Sequence, residues 1–269
     1  DATASQVGSG SVKDGIFTVS IGTCGAIRTF SHVPKYADNK FSQIRVFSPY
    51  GYVPTCTIND AGSVLKWYRN NFSKFECMEA GKMGADCYTV LDDAAAKIPV
   101  GSEGLLLLPN FTGASYAFKD VNLFGVFAGI RNYHTHAHFV RAILEGVGMS
   151  LRAVFDSFRQ GGYEVTQARL GGGGGKSDLW VQIIADIINV PINILVCEEV
   201  SCLGSAIMAA LGLGFFNNLD EAVDSMVKVE RTFYPVEENT KIYNNMYYLY
   251  NQLNNTLKDY YSLHNERVR

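Results

Sequence analysis

Two glycine-bearing stretches have residue types and spacing suited to holding a nucleotide. One reads Leu-Gly-Gly-Gly-Gly-Gly-Lys-Ser-Asp-Leu-Trp over residues 170–180. It follows the alternating run 164–170, a strand expectation, and precedes Leu179, Ile183, Ile184, Ile187 and Ile188, spaced as one helical face. Each glycine loses backbone entropy on ordering and brings no packing side chain, so the five predict a loop between strand and helix. Ser177 or Asp178 can cap that helix, and its first-turn amides face whatever fills the loop. A P-loop needs a glycine five positions before Gly175, where this chain has Leu170. Bare backbone can instead lie against a flat adenine ring, where any Cβ would collide. A helix-start loop with no ligand is the alternative.

The other stretch is Gly22-Thr23-Cys24-Gly25, between strand expectations at 16–21 and 26–30. Converging amides and the Thr23 hydroxyl can wrap a terminal phosphate; taken alone, such a turn is more often a plain hairpin. Gly62 stands in the first turn of a helix expectation with Val64, Leu65, Trp67 and Tyr68 on its buried face. A helical glycine costs about 1 kcal/mol, so either a ligand or a packed neighbour approaches the backbone there. His134 and His138 have the i, i+4 spacing of zinc ligands. The run lacks His-Glu-x-x-His and a third ligand, so it reads as a polar helix start and no metal ligand is assigned.

These stretches need a scaffold. A hairpin is expected from 44–48 and 52–57, then a helix capped by Asn59 or Asp60, another helix at 78–98, and a buried sheet-centre strand at 104–109. Residues 110–122 read as loop, 124–130 as strand, 135–158 as a long helix, 191–195 as strand and 202–210 as a small-residue helix suited to tight burial. An amphipathic helix follows from 236 onward, and residues 1–15 read as turns. With 269 residues and 47% hydrophobic content, one α/β domain with a substantial core is the simplest account. A formal charge of −3 argues against nucleic acid or an anionic membrane as partner, and no apolar run is long enough to span a bilayer. Cysteines 24, 56, 77, 87, 197 and 202 show no CxxC pair, which predicts free thiols in a reducing cytoplasm. The first residue is Asp1 rather than methionine, so the chain reads as a piece of something longer.

The order of these pieces resembles the C-terminal, nucleotide-binding domain of the FGGY carbohydrate kinases, relatives of actin and the heat-shock chaperone ATPases. The motifs are Asp1…Gly8, Ile21-Gly22-Thr23-Cys24-Gly25-Ala26-Ile27-Arg28, Gly62…Leu65-Lys66-Trp67 and the 104–109 strand. They continue in His134…His138…Arg141, in Gly172-Gly173-Gly174…Ser177…Trp180, and in Glu199…Leu203-Gly204-Ser205-Ala206. They run in order along essentially the whole chain. The resemblance implies an actin-like, ribonuclease H-like α/β fold with a mixed sheet flanked by helices. It also implies ATP and Mg²⁺, and phosphoryl transfer to a small sugar or sugar acid. Gly-Thr-x-Gly-Ala-Ile-Arg is most similar to gluconokinases, then xylulokinases. In the family's pattern Asp1 aligns with the catalytic base, Gly22 and Thr23 with a phosphate loop, and Gly62, Gly172, Gly173, Gly174 and Ser177 with the nucleotide site. The family's N-terminal sugar-binding lobe is absent from residues 1–269, so that lobe or a second chain is the expected partner, with a homodimer also open. Residues 113–118 depart from the family's usual loop. A non-catalytic nucleotide-binding or assembly module is the alternative function.

Overall fold

A computed structural model describes residues 2–33, 35, 43–114 and 120–268. In chain order the elements are α1 (Ala2–Gly8), β1 (Ile16–Ile21), β2 (Gly25–Thr29), β3 (Gln43–Phe47), β4 (Gly51–Ile58), α2 (Gly62–Phe72), α3 (Lys74–Lys82) and α4 (Cys87–Ala96). There follow β5 (Leu106–Leu108), β6 (Val126–Ala128), α5 (His136–Gln160), β7 (Gln167–Gly171), α6 (Asp178–Ile188) and β8 (Ile192–Leu195). The last are α7 (Val200–Gly212), α8 (Leu219–Met226), β9 (Val229–Phe233), α9 (Glu237–Thr256) and α10 (Lys258–Val268).

Seven strands form one mixed sheet in the order β3-β4-β2-β1-β7-β8-β9. β1 pairs antiparallel with β2 and parallel with β7, so it lies at the change of direction. The loops leaving β1 and β7 therefore emerge side by side, which brings the two glycine stretches together. On one face, Phe17, Val19 and Ile21 of β1 pack with Ile143, Leu144, Val147 and Leu151 of α5 and Ile183, Ile184 and Ile187 of α6. On the other, Phe30, Phe47 and Val53 pack with Val7 of α1, Ile207 of α7 and Leu219 and Val223 of α8. A sheet buried on both faces needs apolar residues at successive positions, and β1 is buried at five of its six.

A buried polar network fastens α5 to its surroundings. Glu145 pairs with Arg141 at 2.8 Å and accepts from the Gly101 amide, the Ser102 hydroxyl and the Tyr243 hydroxyl. Every partner is buried or nearly so, which is what makes a buried carboxylate tolerable. Burial, reinforced by the Glu145 charge, holds the Tyr243 hydroxyl well above the ordinary tyrosine range.

Several expectations are corrected. The 104–109 strand is buried but forms a two-stranded ribbon with β6 instead of the sheet centre. The 78–98 helix is two helices, broken where Gly84 adopts φ +67°. A Cys77–Cys87 disulfide spans the break, so the free-thiol expectation holds only for Cys24, Cys56, Cys197 and Cys202. Asp60 does not cap α2; its carboxylate accepts from the Thr112 amide and hydroxyl and pins the 112 loop. The turn-like start contains α1, whose Gly8 lies against α7. Helix α7 buries only Gly204 and Ile207. The tail is two helices, preceded by α8 and β9, which the pattern did not indicate.

Candidate nucleotide-binding cleft

At the C-terminal ends of β1 and β7 lies a cleft of about 410 Å³, within the size range of small-molecule sites. It is lined by Gly22 and Thr23 of the β1–β2 turn, Gly62 of α2, Gly173 and Gly174 of the glycine loop, and Ser177 at the start of α6. Gly172 lines the adjoining cavity of about 710 Å³, which shares Gly173 and Lys176 with the first. Gly22, Thr23, Gly62, Gly173, Gly174 and Ser177 thus line one cleft, and Gly172 lines the cavity beside it. Asp1 and residues 115–118 lie outside the described residues.

Local backbone chemistry fixes the cleft floor. The Gly22 amide donates to the Cys24 carbonyl at 3.0 Å and closes the β1–β2 turn. That turn then caps α2: the Gly62 amide donates to the Gly22 carbonyl at 2.9 Å, and those of Ala61 and Ser63 donate to the Thr23 carbonyl, both at 3.1 Å. A helix start leaves several amides without intrahelical partners, and here the turn satisfies them in place of a side chain. The Thr23 residue itself is exposed on the cleft lip. After β7, Gly173–Lys176 forms a 3₁₀ turn, and Ser177 caps α6 by accepting the Trp180 amide at 3.1 Å.

The glycines divide by what a Cβ would meet. At Gly62 it would fall 2.5 Å from the Gly22 carbonyl oxygen, so close packing accounts for that glycine. At Gly172, with φ +82°, it would fall 2.7 Å from the Ile21 carbonyl oxygen, and at Gly174 2.7 Å from the Ile21 Cβ. These three are required by the fold. At Gly22 the nearest atom is 4.0 Å away and at Gly173 3.9 Å, both in ordinary contact range, and both residues are exposed. Neither lacks a side chain because the fold forbids one.

Several lining residues were not assigned to the site from the sequence: Lys66 on α2 and Trp180 on α6, quoted only as parts of motifs, and Asp86, Tyr88, Thr89 and Asp92 on or beside α4. An acidic, polar helix start looks like a solvated surface until the fold turns it toward a cleft. Burial first, then the neighbouring Asp93 and Asp86 carboxylates, push the Asp92 carboxyl above its ordinary pKa, with Ser177 acting against the shift. Lys176 pairs with Glu198 at 3.0 Å across the mouth of the adjoining cavity, with both side chains well exposed.

The histidines have local partners. His138 accepts the Thr135 amide on Nδ1 at 3.1 Å and meets Glu103 through Nε2 at 2.9 Å, closing a capping box at the start of α5. His136 meets the Ser73 hydroxyl at 2.8 Å, and His134 accepts the Arg131 amide at 3.0 Å.

Residues 19–213 match the FGGY family of carbohydrate kinases, C-terminal domain. A xylulose kinase of Staphylococcus epidermidis is 32% identical over 255 residues, covering 93% of this chain and 49% of the relative. A gluconokinase of Bacillus subtilis is 30% identical over 263 residues, covering 97% and 51%. Among solved structures, xylulose kinase from Rhodospirillum rubrum superposes with a TM-score of 0.85 at 28% identity, covering 97% of this chain and 51% of that one. Xylulose kinase from Lactobacillus acidophilus does so with a TM-score of 0.85 at 24% identity, covering 96% and 51%. The chain spans about half the length of the curated relatives it matches. It belongs to the FGGY family of carbohydrate kinases, and its fold is the mixed-sheet α/β fold of those sugar kinases.

Proposed function

We propose that the chain is the nucleotide-binding half of an ATP-dependent carbohydrate kinase, a cytoplasmic enzyme that phosphorylates a small sugar or sugar acid. The observation that carries this reading is the open space over Gly22 and Gly173, two exposed glycines lining one cleft that the fold itself leaves free of side chains. Gly173 and its neighbours Gly172 and Gly174 would lie against the adenosine, with Ser177 beside the base and Gly62 forming floor. Gly22 and Thr23 would face the terminal phosphates, where the Thr23 hydroxyl donates to the transferring group; fixed donors aimed at developing charge are the main resource of phosphoryl transfer.

Mg²⁺ would neutralise phosphate charge during transfer. Among the described residues no three His, Cys, Asp or Glu side chains converge to hold a metal, so we assign the ion to the nucleotide's own oxygens, the hard ligands it prefers. Asp1 is our candidate base, accepting the proton of the attacking hydroxyl. The sugar contacts would come from a second lobe, within a longer chain or from another one. The names of the relatives point to xylulose or gluconate as acceptor, at near-equal identity.

The test is an ADP-release assay on the two-lobed protein with MgATP and either xylulose or gluconate. Turnover dependent on one of these sugars, abolished by Asp1→Asn, is expected. No sugar-dependent ADP release with either, in a folded two-lobed protein, would contradict the proposal.

A further inference from the structure

We propose that the Cys77–Cys87 bridge is a redox modification site that controls the cleft: opened by a low-molecular-weight thiol such as glutathione, it releases part of the cleft wall and weakens nucleotide binding. This rests on the nucleotide reading and the cytoplasmic setting above, and adds regulation to that same site. In a reducing compartment a lasting disulfide is rare, and those found are mostly transient or redox-sensing.

Helix α4 is anchored unevenly. Its far half is fixed: Leu91 and Ala95 are fully buried in the main core, and the Ala95 carbonyl accepts from Arg141 at 3.3 Å. Its start carries Asp86, Tyr88 and Thr89 into the cleft lining, with Asp86 and Thr89 exposed. Asp86 stands at the N-cap position, yet its side chain makes no cap hydrogen bond, so the first turn lacks the usual side-chain acceptor for its amides. The bond from the Val90 amide to the Asp86 carbonyl is long, at 3.4 Å. Arg69 lies over the Tyr88 ring at 4.6 Å, a contact of about 0.5–1 kcal/mol where it is exposed. The covalent tie from Cys87 to Cys77 of α3 is the stronger hold on this turn. Helix α3 buries only Ala80, so once untied it has little packing to keep it beside α4.

Both cysteines are partly exposed, within reach of a small thiol. A glutathione thiolate attacks the Cys77 sulfur and breaks its bond to Cys87; Cys87 leaves as a thiolate and Cys77 carries a mixed disulfide. Cys87 is the first residue of α4, where the helix amides stabilise the departing thiolate, and a stabilised thiolate leaves faster. A second glutathione attacks the glutathione sulfur of the mixed disulfide and releases Cys77. The bridge gains two electrons and two protons, and the two glutathiones leave as one glutathione disulfide. The reverse exchange restores the wall.

The experiment titrates MgATP calorimetrically into the bridged chain, into the chain opened in a glutathione buffer at cytoplasmic poise, and into Cys77→Ser/Cys87→Ser. Alkylation followed by mass measurement reads the bridge, and melting curves read folding. The opened chain is expected to stay folded and bind about three- to tenfold more weakly, as when the ordered wall is populated in about a tenth to a third of molecules. The double variant should show that weaker affinity with or without glutathione. It keeps Cys24, Cys56, Cys197 and Cys202, so a redox response that survives in it overturns the assignment to this bridge. A bridge that persists in the glutathione buffer, an opened chain that has unfolded, or equal affinities in the two states overturns the switch and leaves the nucleotide site standing. Binding of MgATP in neither state overturns both.

Discussion

Gly8 and Gly204 sit where α1 crosses α7, and Gly22 and Gly173 sit in the cleft. A Cβ at Gly8 would fall 1.8 Å from the Val200 carbonyl oxygen, and one at Gly204 would fall 1.8 Å from the Ala4 carbonyl oxygen. A Cβ at Gly22 or Gly173 would meet nothing nearer than 3.9 Å. The first pair lets two helix backbones touch, and its glycines are explained completely by packing. The second pair has no such explanation inside the protein. A glycine is informative about ligands only where the fold would accept a larger residue.

The comparison breaks most readily at the helix crossing. Gly204→Ala should cost more than about 3 kcal/mol, beyond the usual overpacking penalty, because the obstacle is backbone and cannot rotate away; denaturant unfolding measures it. A loss under about 1 kcal/mol would show that α1 and α7 separate freely and would weaken packing as an explanation for any glycine here.

The tether beside the cleft should give an intermediate effect. The Cys77–Cys87 bridge closes a ten-residue separation and holds α3 to the start of α4, whose residues line the cleft. Replacing both cysteines by serine should cost about 2–3 kcal/mol by loop-closure entropy, read by denaturation with and without reductant. Only the bridged protein should respond to reductant.

Asp92 should give the smallest and oppositely signed stability effect. Its carboxyl is raised by burial first, then by neighbouring carboxylates. A carboxyl whose folded pKa exceeds its unfolded one adds stability below the unfolded pKa and loses it as pH rises through the folded pKa. At neutral pH the charged form is therefore a burden on the unliganded chain. Asp92→Asn should melt slightly higher than wild type there, and the difference should vanish as acid protonates Asp92. A variant that melts lower at neutral pH would mean the carboxylate stabilises the fold.

Much of the scaffold was legible because its physics is local. The run Ile16–Ile21 is a strand with the limits its β-branched and aromatic residues indicate, and Ser177 caps α6 as its side chain allows. The glycine loop was legible as a break, yet its sequence could not say which glycines packing requires, since that depends on where Ile21 lies across the sheet. Helix α1 was hidden: its small residues carry little periodicity and are held by contact with α7. The Cys77–Cys87 pairing depends on a helix break that a helical pattern runs across. The α4 wall was invisible for the same reason, since Asp86 and Asp92 acquire meaning only when the fold sets them opposite Ser177.

The central claim is tested most directly by titrating MgATP into wild type and Gly173→Val, with melting curves for both. The account predicts saturable binding in wild type and its loss in the variant. Melting temperatures should agree within about 4 °C, since the fold leaves room for the side chain. A Gly173→Val protein that binds MgATP as wild type does, or a wild type that takes no nucleotide at millimolar concentration, would contradict it.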